Sequence, residues 1–367
     1  MKKTAIPNSR SALARLESLD SMEGIVESSR HATPAFLRFL PGSEVFFAVY
    51  PGLLVAVTIG LAATWLAQHY GAPVMLFALL VGMAFHFLHE GGRCVAGIEF
   101  SSRTVLRLGV ALLGARITTA QIMEVGLVPV ATVIVGVVTT ILVGLALAKR
   151  LKLAPVFGVL SGGSVAICGA SAALAIATVL PQSRDKERDT ILVVVAVTAL
   201  STLAMIFYPV LAGLLHLDHK HAGIFLGGTI HDVAQVVGAG YMISPETGDI
   251  ATCIKLFRVA MLVPVVFTIG LILHRGGAGG AKAPRLPNFL IGFVALVILN
   301  STGLLPALVV TTATDVSRWC LVIAISALGM KTNFRDLVTV GWRPVWLMVV
   351  ETAWIASVVL VAVKFIL

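Results

Sequence analysis

The sequence has 367 residues, of which 58% are hydrophobic and only 12% are charged, and its mean hydropathy is +0.98. This composition excludes a soluble domain of this length and predicts a chain that crosses a lipid bilayer several times. The formal net charge of +9 does not indicate a nucleic-acid partner, because the basic residues lie between apolar runs and are explained by membrane topology.

Apolar runs of about 20 residues predict transmembrane helices rather than the short alternating strands of a barrel. In chain order the runs cover roughly residues 44–68, 73–89, 104–123, 127–148, 156–180, 190–215, 222–243, 252–274, 287–305, 314–330 and 344–366. The polar first 40 residues form either a short amphipathic helix on the inner membrane surface or a basic tail without fixed structure. No cleavable signal peptide is expected, since the first apolar run begins near Glu44.

Enzyme motifs and metal-binding spacings are absent from the sequence. No HExxH, GxSxG or P-loop motif occurs, so hydrolase and ATP-driven mechanisms lack the residues they need. The cysteines, Cys94, Cys168, Cys253 and Cys320, have no CxxC spacing and predict neither a metal cluster nor a disulfide framework. We therefore expect a protein that is not an enzyme and binds no cofactor or metal.

Basic loops give a predicted orientation. The strongest are residues 149–152, 184–188 and 275–285, and the positive-inside rule places all three in the cytoplasm. Because the first two flank the single apolar run 156–180, that run must enter and leave on the cytoplasmic side. The same reasoning makes run 222–243 begin and end outside, and it predicts a cytoplasmic N-terminus and a periplasmic or extracellular C-terminus.

An internal repeat supports this orientation. Residues 112–130 align without gaps with residues 327–345. The matching pairs are Gly114 and Gly329, Val125 and Val340, Gly126 and Gly341, Pro129 and Pro344, and Val130 and Val345. The charge-derived orientation makes the two copies inverted, as in many secondary transporters. A weaker echo links the Gly-Gly-Ser of 162–164 with the Gly-Gly-Thr of 227–229.

The predicted fold is therefore an all-α polytopic membrane protein with about nine to eleven transmembrane helices, an inverted repeat and two broken or re-entrant helical elements. The predicted segments are a cytoplasmic tail (1–43), N-terminal scaffold helices (44–154), a core with both broken elements (155–275), a cytoplasmic linker (276–286) and C-terminal scaffold helices (287–367).

Glycine and serine in both broken elements predict helix ends near mid-membrane. Two helix N-termini converging from opposite faces make an anion site, because their amide groups are unpaired and carry partial positive charge. The candidate substrate-binding residues in these elements are Ser161, Gly162, Gly163, Ser164, Gly169, Ser171, Gly228 and Thr229. The alternative for the glycines is close helix packing.

Ionisable residues at membrane depth are further candidates, because a charge there is costly unless it has a function. His231 is a candidate for both substrate binding and gating, and we expect Asp232 and Gln235 to gate or couple. Lys255 and Arg258 share a helix face and are expected to bind the anion, pairing with Asp232 when the site is empty. The alternative for Lys255 is an interfacial position with its ammonium group reaching water.

Five motifs in order resemble the YeiH family of bacterial inner-membrane proteins, described as candidate sulfate exporters. They are LRLG at 106–109, ICGASA at 167–172, GTIHDVAQVV at 228–237, Lys255 with RVAMLVP at 258–264, and ALGMKT at 327–332. The resemblance covers roughly residues 40–366. Family members commonly carry Glu where this chain has Asp232. The family is grouped with cation/proton antiporters and anion transporters, which implies that runs 156–180 and 222–243 are discontinuous spanning helices rather than hairpins.

The leading functional prediction is a secondary transporter in the bacterial inner membrane that exports sulfate or a related oxyanion or sulfonate by alternating access. Its expected partners are a small anion, a coupling proton or sodium ion, the lipid bilayer and, as one option, a second copy of the chain. One alternative is a cation/proton antiporter in which Asp232 and His231 titrate and Lys255 is a countercharge. Another is a passive channel or membrane sensor.

Overall fold

The computed structural model describes residues 43–367 except 72, 121–122, 124–125, 182–184, 274–286 and 333–341. The predicted N-terminal tail and the 276–286 linker therefore lie outside the described residues, apart from Ser43. Nine residues of the second repeat copy, 333–341, also lie outside them.

The described residues form helices and turns, without a strand. The helices are α1 (Ser43–Tyr70), α2 (Val74–Ala84), α3 (Val95–Phe100), α4 (Leu106–Leu113), α5 (Leu127–Arg150), α6 (Pro155–Ala166), α7 (Ala170–Val179), α8 (Lys186–Leu214), α9 (His219–Thr229), α10 (Val233–Ile243), α11 (Pro245–Ala260), α12 (Leu262–Leu273), α13 (Asn288–Ser301), α14 (Ala307–Lys331) and α15 (Trp342–Phe365). A π-helical turn (Ser101–Val105) joins α3 to α4, and a 3-10 turn (His86–Leu88) follows α2.

Each of the eleven predicted apolar runs overlaps helical structure. Within the described residues, six helical stretches are long and apolar enough to cross a membrane: Phe46–Tyr70, Leu127–Arg150, Lys186–Leu214, Pro245–Ile272, Ala307–Lys331 and Trp342–Phe365. Shorter apolar helices, α2, α6, α7, α10 and α13, lie between them. The chain is thus an all-helical membrane protein, while the number of crossings and the inverted repeat stay predictions.

The third run is displaced from its predicted position. Its first continuous helical stretch runs from Val95, rather than from near residue 104, to Leu113. Hydropathy misses the first turns because Glu99 and Arg103 are charged, yet the two side chains neutralise each other at 3.1 Å. Lys331 of α14 also approaches Glu99, with 2.9 Å between Nζ and Oε2. A paired charge is thus compatible with a helix that hydropathy alone excludes.

Two glycines that correspond in the predicted repeat allow helices of the two halves to touch. A Cβ on Gly114 would lie 2.4 Å from the carbonyl oxygen of Phe293, and one on Gly329 would lie 2.4 Å from that of Leu79. Helix α14 packs closely on α2 and α4, and α13 packs on α4. The N-terminal and C-terminal scaffold helices are therefore interleaved, with small residues where their backbones approach.

Helices α6 and α7 form the first hairpin, residues 155–179. Its two ends lie at the same base, because Ala154 and Phe157 line one cavity together with Leu180 and Lys186. Inside the hairpin a Cβ on Gly163 would lie 2.3 Å from Cδ1 of Ile176. These contacts agree with the same-side entry predicted from charge and disagree with a discontinuous helix that spans the core.

Helices α9 and α10 form the second hairpin, residues 219–243. The hydroxyl of Thr247 donates to the carbonyl oxygen of His219 at 3.1 Å, at the start of the hairpin. A Cβ on Gly240, near the end of the hairpin, would lie 2.7 Å from Cα of Gly248. Both ends therefore lie beside the first turns of α11, so this element also returns to the side from which it entered.

The two hairpins point toward each other from opposite ends of the core. Helix α11 begins at the base of the second hairpin, and α12 continues it with one intervening residue, Met261. Near the end of α12, a Cβ on Gly270 would lie 3.8 Å from Val179, at the base of the first hairpin. The tips of the hairpins consequently meet in the interior, beside the last turns of α11.

Candidate functional site

The first hairpin breaks at Ile167, Cys168 and Gly169, between α6 and α7. Gly169 has φ +63° and ψ −124°, a conformation that a residue with a Cβ adopts only with strain. Gly169 has no side chain that could cap the N-terminus of α7, and the amide of Ala172 in its first turn interacts with the thiol of Cys168. Helix α7 therefore begins at the tip with amide groups that have no acceptor inside the helix.

The second hairpin breaks at Ile230, His231 and Asp232, where Ile230 and Asp232 have extended backbones. Asp232 is the N-cap of α10: its Oδ1 accepts a hydrogen bond from the amide of Ala234 at 2.8 Å. The amide of Asp232 in turn donates to the hydroxyl of Ser201 on α8 at 3.0 Å. A carboxylate at a helix N-terminus is favourable because it faces the positive end of the macrodipole.

Arg258 of α11 joins both tips. It is fully buried, and all five of its N–H groups are used in hydrogen bonds to carbonyl oxygens. From the first hairpin it binds Val165 and Ala166, and from the second Gly227 and Ile230, at 2.7–3.2 Å. The guanidinium thus caps the negative C-terminal ends of α6 and α9 together.

Lys255, one turn earlier on α11, has the same role. Its ammonium group is fully buried and donates to the carbonyl oxygens of Ile167 at 2.6 Å, Ile230 at 2.9 Å and His231. An interfacial position for Lys255 is therefore wrong. Because these three bonds use all its N–H groups, neither cation offers a free donor to an anion in this structure, contrary to the sequence prediction.

The predicted ion pair of Asp232 with Lys255 or Arg258 is also wrong. Among the ion pairs of the described residues none involves these three side chains. The carboxylate of Asp232 instead caps the N-terminus of α10, because that helix begins directly after it. The two cations face the C-terminal ends of α6 and α9.

His231 lies between the two hairpins and a scaffold helix. Nδ1 is 3.0 Å from the carbonyl oxygen of Val165 and therefore carries a hydrogen, while Nε2 is 3.0 Å from the hydroxyl of Thr352 on α15. That hydroxyl also lies 2.8 Å from the carbonyl oxygen of Met348. Since a hydroxyl has one hydrogen, Thr352 donates either to Met348 or to His231, and this choice is linked to the protonation of Nε2.

The Gly-Gly-Ser and Gly-Gly-Thr sequences lie inside α6 and α9, so their prediction as the points of interruption is wrong. A Cβ on Gly162 would lie 3.0 Å from the carbonyl oxygen of Thr140, and one on Gly228 would lie 2.9 Å from Val359. Gly163 contacts Ile176 as described above. The alternative, close helix packing, is therefore correct for these three glycines. Among the glycines predicted to bind substrate, Gly169 is the one that lies at a helix break.

Three predicted hydroxyls are buried and donate within the protein. Ser164 donates to the carbonyl oxygen of Leu160 and Thr229 to that of Phe225, four residues earlier in each helix. Ser161 donates to Glu351, described below.

The two remaining predicted residues differ in exposure. Ser171 in the first turn of α7 is exposed. Gln235 is buried and donates through Nε2 to the hydroxyl of Thr202 at 3.0 Å. Of the predicted hydroxyl-bearing residues, Ser171 is thus the exposed one.

Sequence reasoning missed Glu351 and Thr352 on α15. Glu351 is fully buried, and its Oε1 accepts a hydrogen bond from Ser161 at 2.8 Å. Consecutive residues of α15 thus contact the first hairpin through Ser161 and the second through His231. The signal was available, because Glu351 is a single carboxylate within the apolar run 344–366 and meets the criterion that singled out His231 and Asp232.

The fold and this site define an all-helical, multi-pass membrane protein with two opposed helical hairpins. A family model described as "Conserved hypothetical protein 698" matches residues 51–348. The chain belongs to this family, the UPF0324 membrane proteins, consistent with the YeiH resemblance.

The similar proteins carry few functional names. A UPF0324 membrane protein of Chlorobaculum tepidum is 59% identical over 319 residues, which cover 86% of this chain and 89% of the relative. The UPF0324 membrane protein TauZ of Paracoccus pantotrophus is 50% identical over 322 residues, 86% of this chain and 95% of TauZ. The sodium proton antiporter MjNhaP1 of Methanocaldococcus jannaschii is a structural neighbour at 14% identity, covering 87% of this chain and 100% of that one. Its TM-score of 0.28 is too low to support an inference about fold or function.

Proposed function

We propose that this protein is a secondary transporter of a small anion, most consistent with sulfate or a related oxyanion or sulfonate, which it exports across the bacterial inner membrane by alternating access. In this proposal the N-terminus is cytoplasmic, the C-terminus is periplasmic, and the anion binds where the tips of the two hairpins meet.

The observation that carries the proposal is the unbalanced charge at the tips. Lys255 and Arg258 are both fully buried, whereas Asp232, in the break of the second hairpin, is the single carboxylate of the two breaks. With His231 neutral, these three side chains leave one positive charge in a low-dielectric environment. A buried net charge is costly even when backbone carbonyl oxygens bind the cations, so a bound anion stabilises the tips even without direct contact with either cation.

The N-terminus of α7 provides the direct contacts in this proposal. The amides of Ala170 and Ser171 lie in its first turn, where no helical carbonyl is available to them, and Gly169 provides no side-chain cap. Oxyanions and sulfonates match such a group of amides, since each oxygen accepts hydrogen bonds and the helix end is positive. The exposed hydroxyl of Ser171 is an additional donor at the entrance.

Flux measurements test the proposal. Purified protein in liposomes should exchange labelled sulfate, sulfite or a small sulfonate saturably, and Lys255→Met should abolish the exchange. A matched control is Lys149→Met, because Lys149 is an exposed cation at the end of α5. Flux that rises linearly with concentration would favour a channel, and binding without flux a sensor. The absence of both flux and binding for every small anion would contradict the proposal.

A second candidate function, cation/proton antiport, is favoured by one observation. His231 has two hydrogen-bonding states through Thr352, and Asp232 beside it is only half-buried, so a proton can reach this pair. Under this alternative, Asp232→Asn abolishes cation-driven proton movement and anions have no effect. Under the proposed function, Asp232→Asn removes the one negative charge at the tips and strengthens anion binding.

A further inference from the structure

Glu351 is a buried carboxyl group that the proposed anion site does not use. It lies in the middle of α15, and none of its surface is exposed. Oε1 is bonded to the hydroxyl of Ser161, and Oε2 has no hydrogen-bond partner among the described residues. A buried polar atom without a partner is destabilising and rare in folded proteins, so Oε2 of Glu351 indicates a functional role.

The pocket around this carboxyl group is shaped by glycines of α5 and α6. A Cβ on Gly144 would lie 2.4 Å from Oε1 of Glu351 and 2.6 Å from the carbonyl oxygen of Gly158. A Cβ on Gly162 would lie 3.5 Å from the same Oε1. Any larger residue at Gly144 would displace the carboxyl group. The glycines at 144 and 162 therefore provide space that the carboxyl group of Glu351 occupies.

No charged side chain of the described residues forms an ion pair with Glu351. Helices α5, α6, α8 and α9 pack against α15, and α5 and α6 place Gly144, Gly162 and the hydroxyl of Ser161 beside the carboxyl group of Glu351. Their charged side chains and histidines lie in terminal turns: Lys149 and Arg150 in α5; Lys186, Glu187, Arg188 and Asp189 in α8; His219, Lys220 and His221 in α9. Tyr208, inside α8, packs its ring against Phe225 of α9. The titratable group that reaches this part of α15 is His231, through the neighbouring Thr352.

The hydrogen bonds suit a neutral carboxylic acid. When protonated, Glu351 donates through Oε1 to the hydroxyl oxygen of Ser161, and Ser161 turns its own hydrogen to the carbonyl oxygen of Gly158, 3.4 Å away. When ionised, the group is a buried charge with one hydroxyl partner among the described residues, which is strongly unfavourable. Hard metal cations gather about six oxygen ligands, whereas one carboxyl and one hydroxyl suffice for a proton.

We propose that Glu351 binds a proton in the membrane interior and that this proton is the coupling ion of the transport proposed above. The coupling role rests on the proposed function, and the proton binding does not. Helix α15 contacts the first hairpin at Glu351 and the second at Thr352. Release of the proton makes the contact between the carboxylate and α6 costly. It therefore favours a state in which this part of α15 separates from the first hairpin and meets water.

Infrared difference spectroscopy tests the proton binding without any substrate. Wild-type protein should show the carbonyl stretch of a protonated carboxylic acid, and Glu351→Gln should remove that band. Asp315→Asn, at an exposed carboxylate of α14, should leave it unchanged. Ser161→Ala should shift the band without removing it, because Glu351 loses the one hydrogen-bond partner it has among the described residues. A wild-type spectrum without the band, or a band that persists in Glu351→Gln, would overturn the proton site.

Flux in liposomes tests the coupling. In Glu351→Gln, the exchange of labelled sulfate between equal concentrations should persist, whereas uptake driven by a pH gradient should fall to the level of empty liposomes. Gradient-driven uptake equal to that of the wild type, or wild-type uptake that follows sodium and ignores pH, would overturn the coupling role. If the wild type moves no anion while the infrared band depends on Glu351, the proton site stands and the proposed function fails.

Discussion

Arg258 offers a direct test of how the hairpin tips are held together. Replacing it with methionine keeps most of the side-chain length but removes five hydrogen bonds to four carbonyl oxygens. Two of these oxygens keep another side-chain donor: Val165 retains His231, and Ile230 retains Lys255. The carbonyls of Ala166 and Gly227 lose the Arg258 donors that cap them.

The expected loss of stability follows from these contacts. Each buried carbonyl left without a partner costs about 1–3 kcal/mol, so two of them cost about 2–6 kcal/mol. Arg258→Met also removes the cost of burying the guanidinium charge away from water. We therefore expect a loss of stability in the lower half of this range. Arg258→Lys keeps the charge but replaces five donors in a planar fork with three on one nitrogen, so its stability should fall between that of the wild type and Arg258→Met.

Thermal unfolding in detergent measures this order. We expect the apparent Tm to fall from wild type to Arg258→Lys to Arg258→Met, with a drop of several degrees for the methionine variant. Arg150→Met at the exposed end of α5 is the matched control and should unfold like the wild type. An apparent Tm for Arg258→Met equal to that of Arg150→Met would refute the conclusion that the guanidinium holds the two tips together.

Three further substitutions probe other parts of the site. Gly169→Ala places a Cβ on a backbone with φ +63° and should cost about 1–3 kcal/mol, measured by the same thermal unfolding, whereas Gly213→Ala in α8, where nothing lies within 4 Å, should be tolerated. Asp232→Asn keeps the N-cap of α10, so the apparent Tm should change little while sulfate binds more tightly in a titration; weaker binding would count against an anion site at the tips. Gly144→Ala should destabilise the protein and shift the infrared band of Glu351, because the new Cβ lies 2.4 Å from Oε1; an unchanged spectrum would show that the pocket is looser than described.

The positions of the helices and the same-side entry of both hairpins could be predicted from sequence. Hydropathy locates the apolar runs because their side chains must be kept away from water, in lipid or inside the protein. The basic loops on both sides of 156–180 predict that this run returns to the side from which it entered. The hairpin contacts agree with this charge argument against the discontinuous helices implied by the family resemblance.

The points of interruption could not be placed from sequence. Glycine pairs are compatible with both an interrupted helix and a closely packed one, and only the three-dimensional neighbours decide between them. Here Gly162 and Gly228 meet the backbone of α5 and the side chain of Val359, so both stay helical, and the interruptions follow them. The hydrogen-bond partners of Lys255 and Arg258 could not be predicted from sequence either. They are backbone carbonyl oxygens at helix ends, and every residue type has such an oxygen.

The anion site at the hairpin tips is tested by sulfate-induced stabilisation of the wild type, Ser171→Asn and Ser171→Asp. The exposed position tolerates both changes, and an aspartate in the first turn of α7 favours the helix while occupying the place of the anion. Sulfate at 100 times its Kd should stabilise the wild type and Ser171→Asn by about 2.7 kcal/mol and leave Ser171→Asp unchanged. Equal stabilisation of all three proteins, or of none, would contradict an anion site at this helix end.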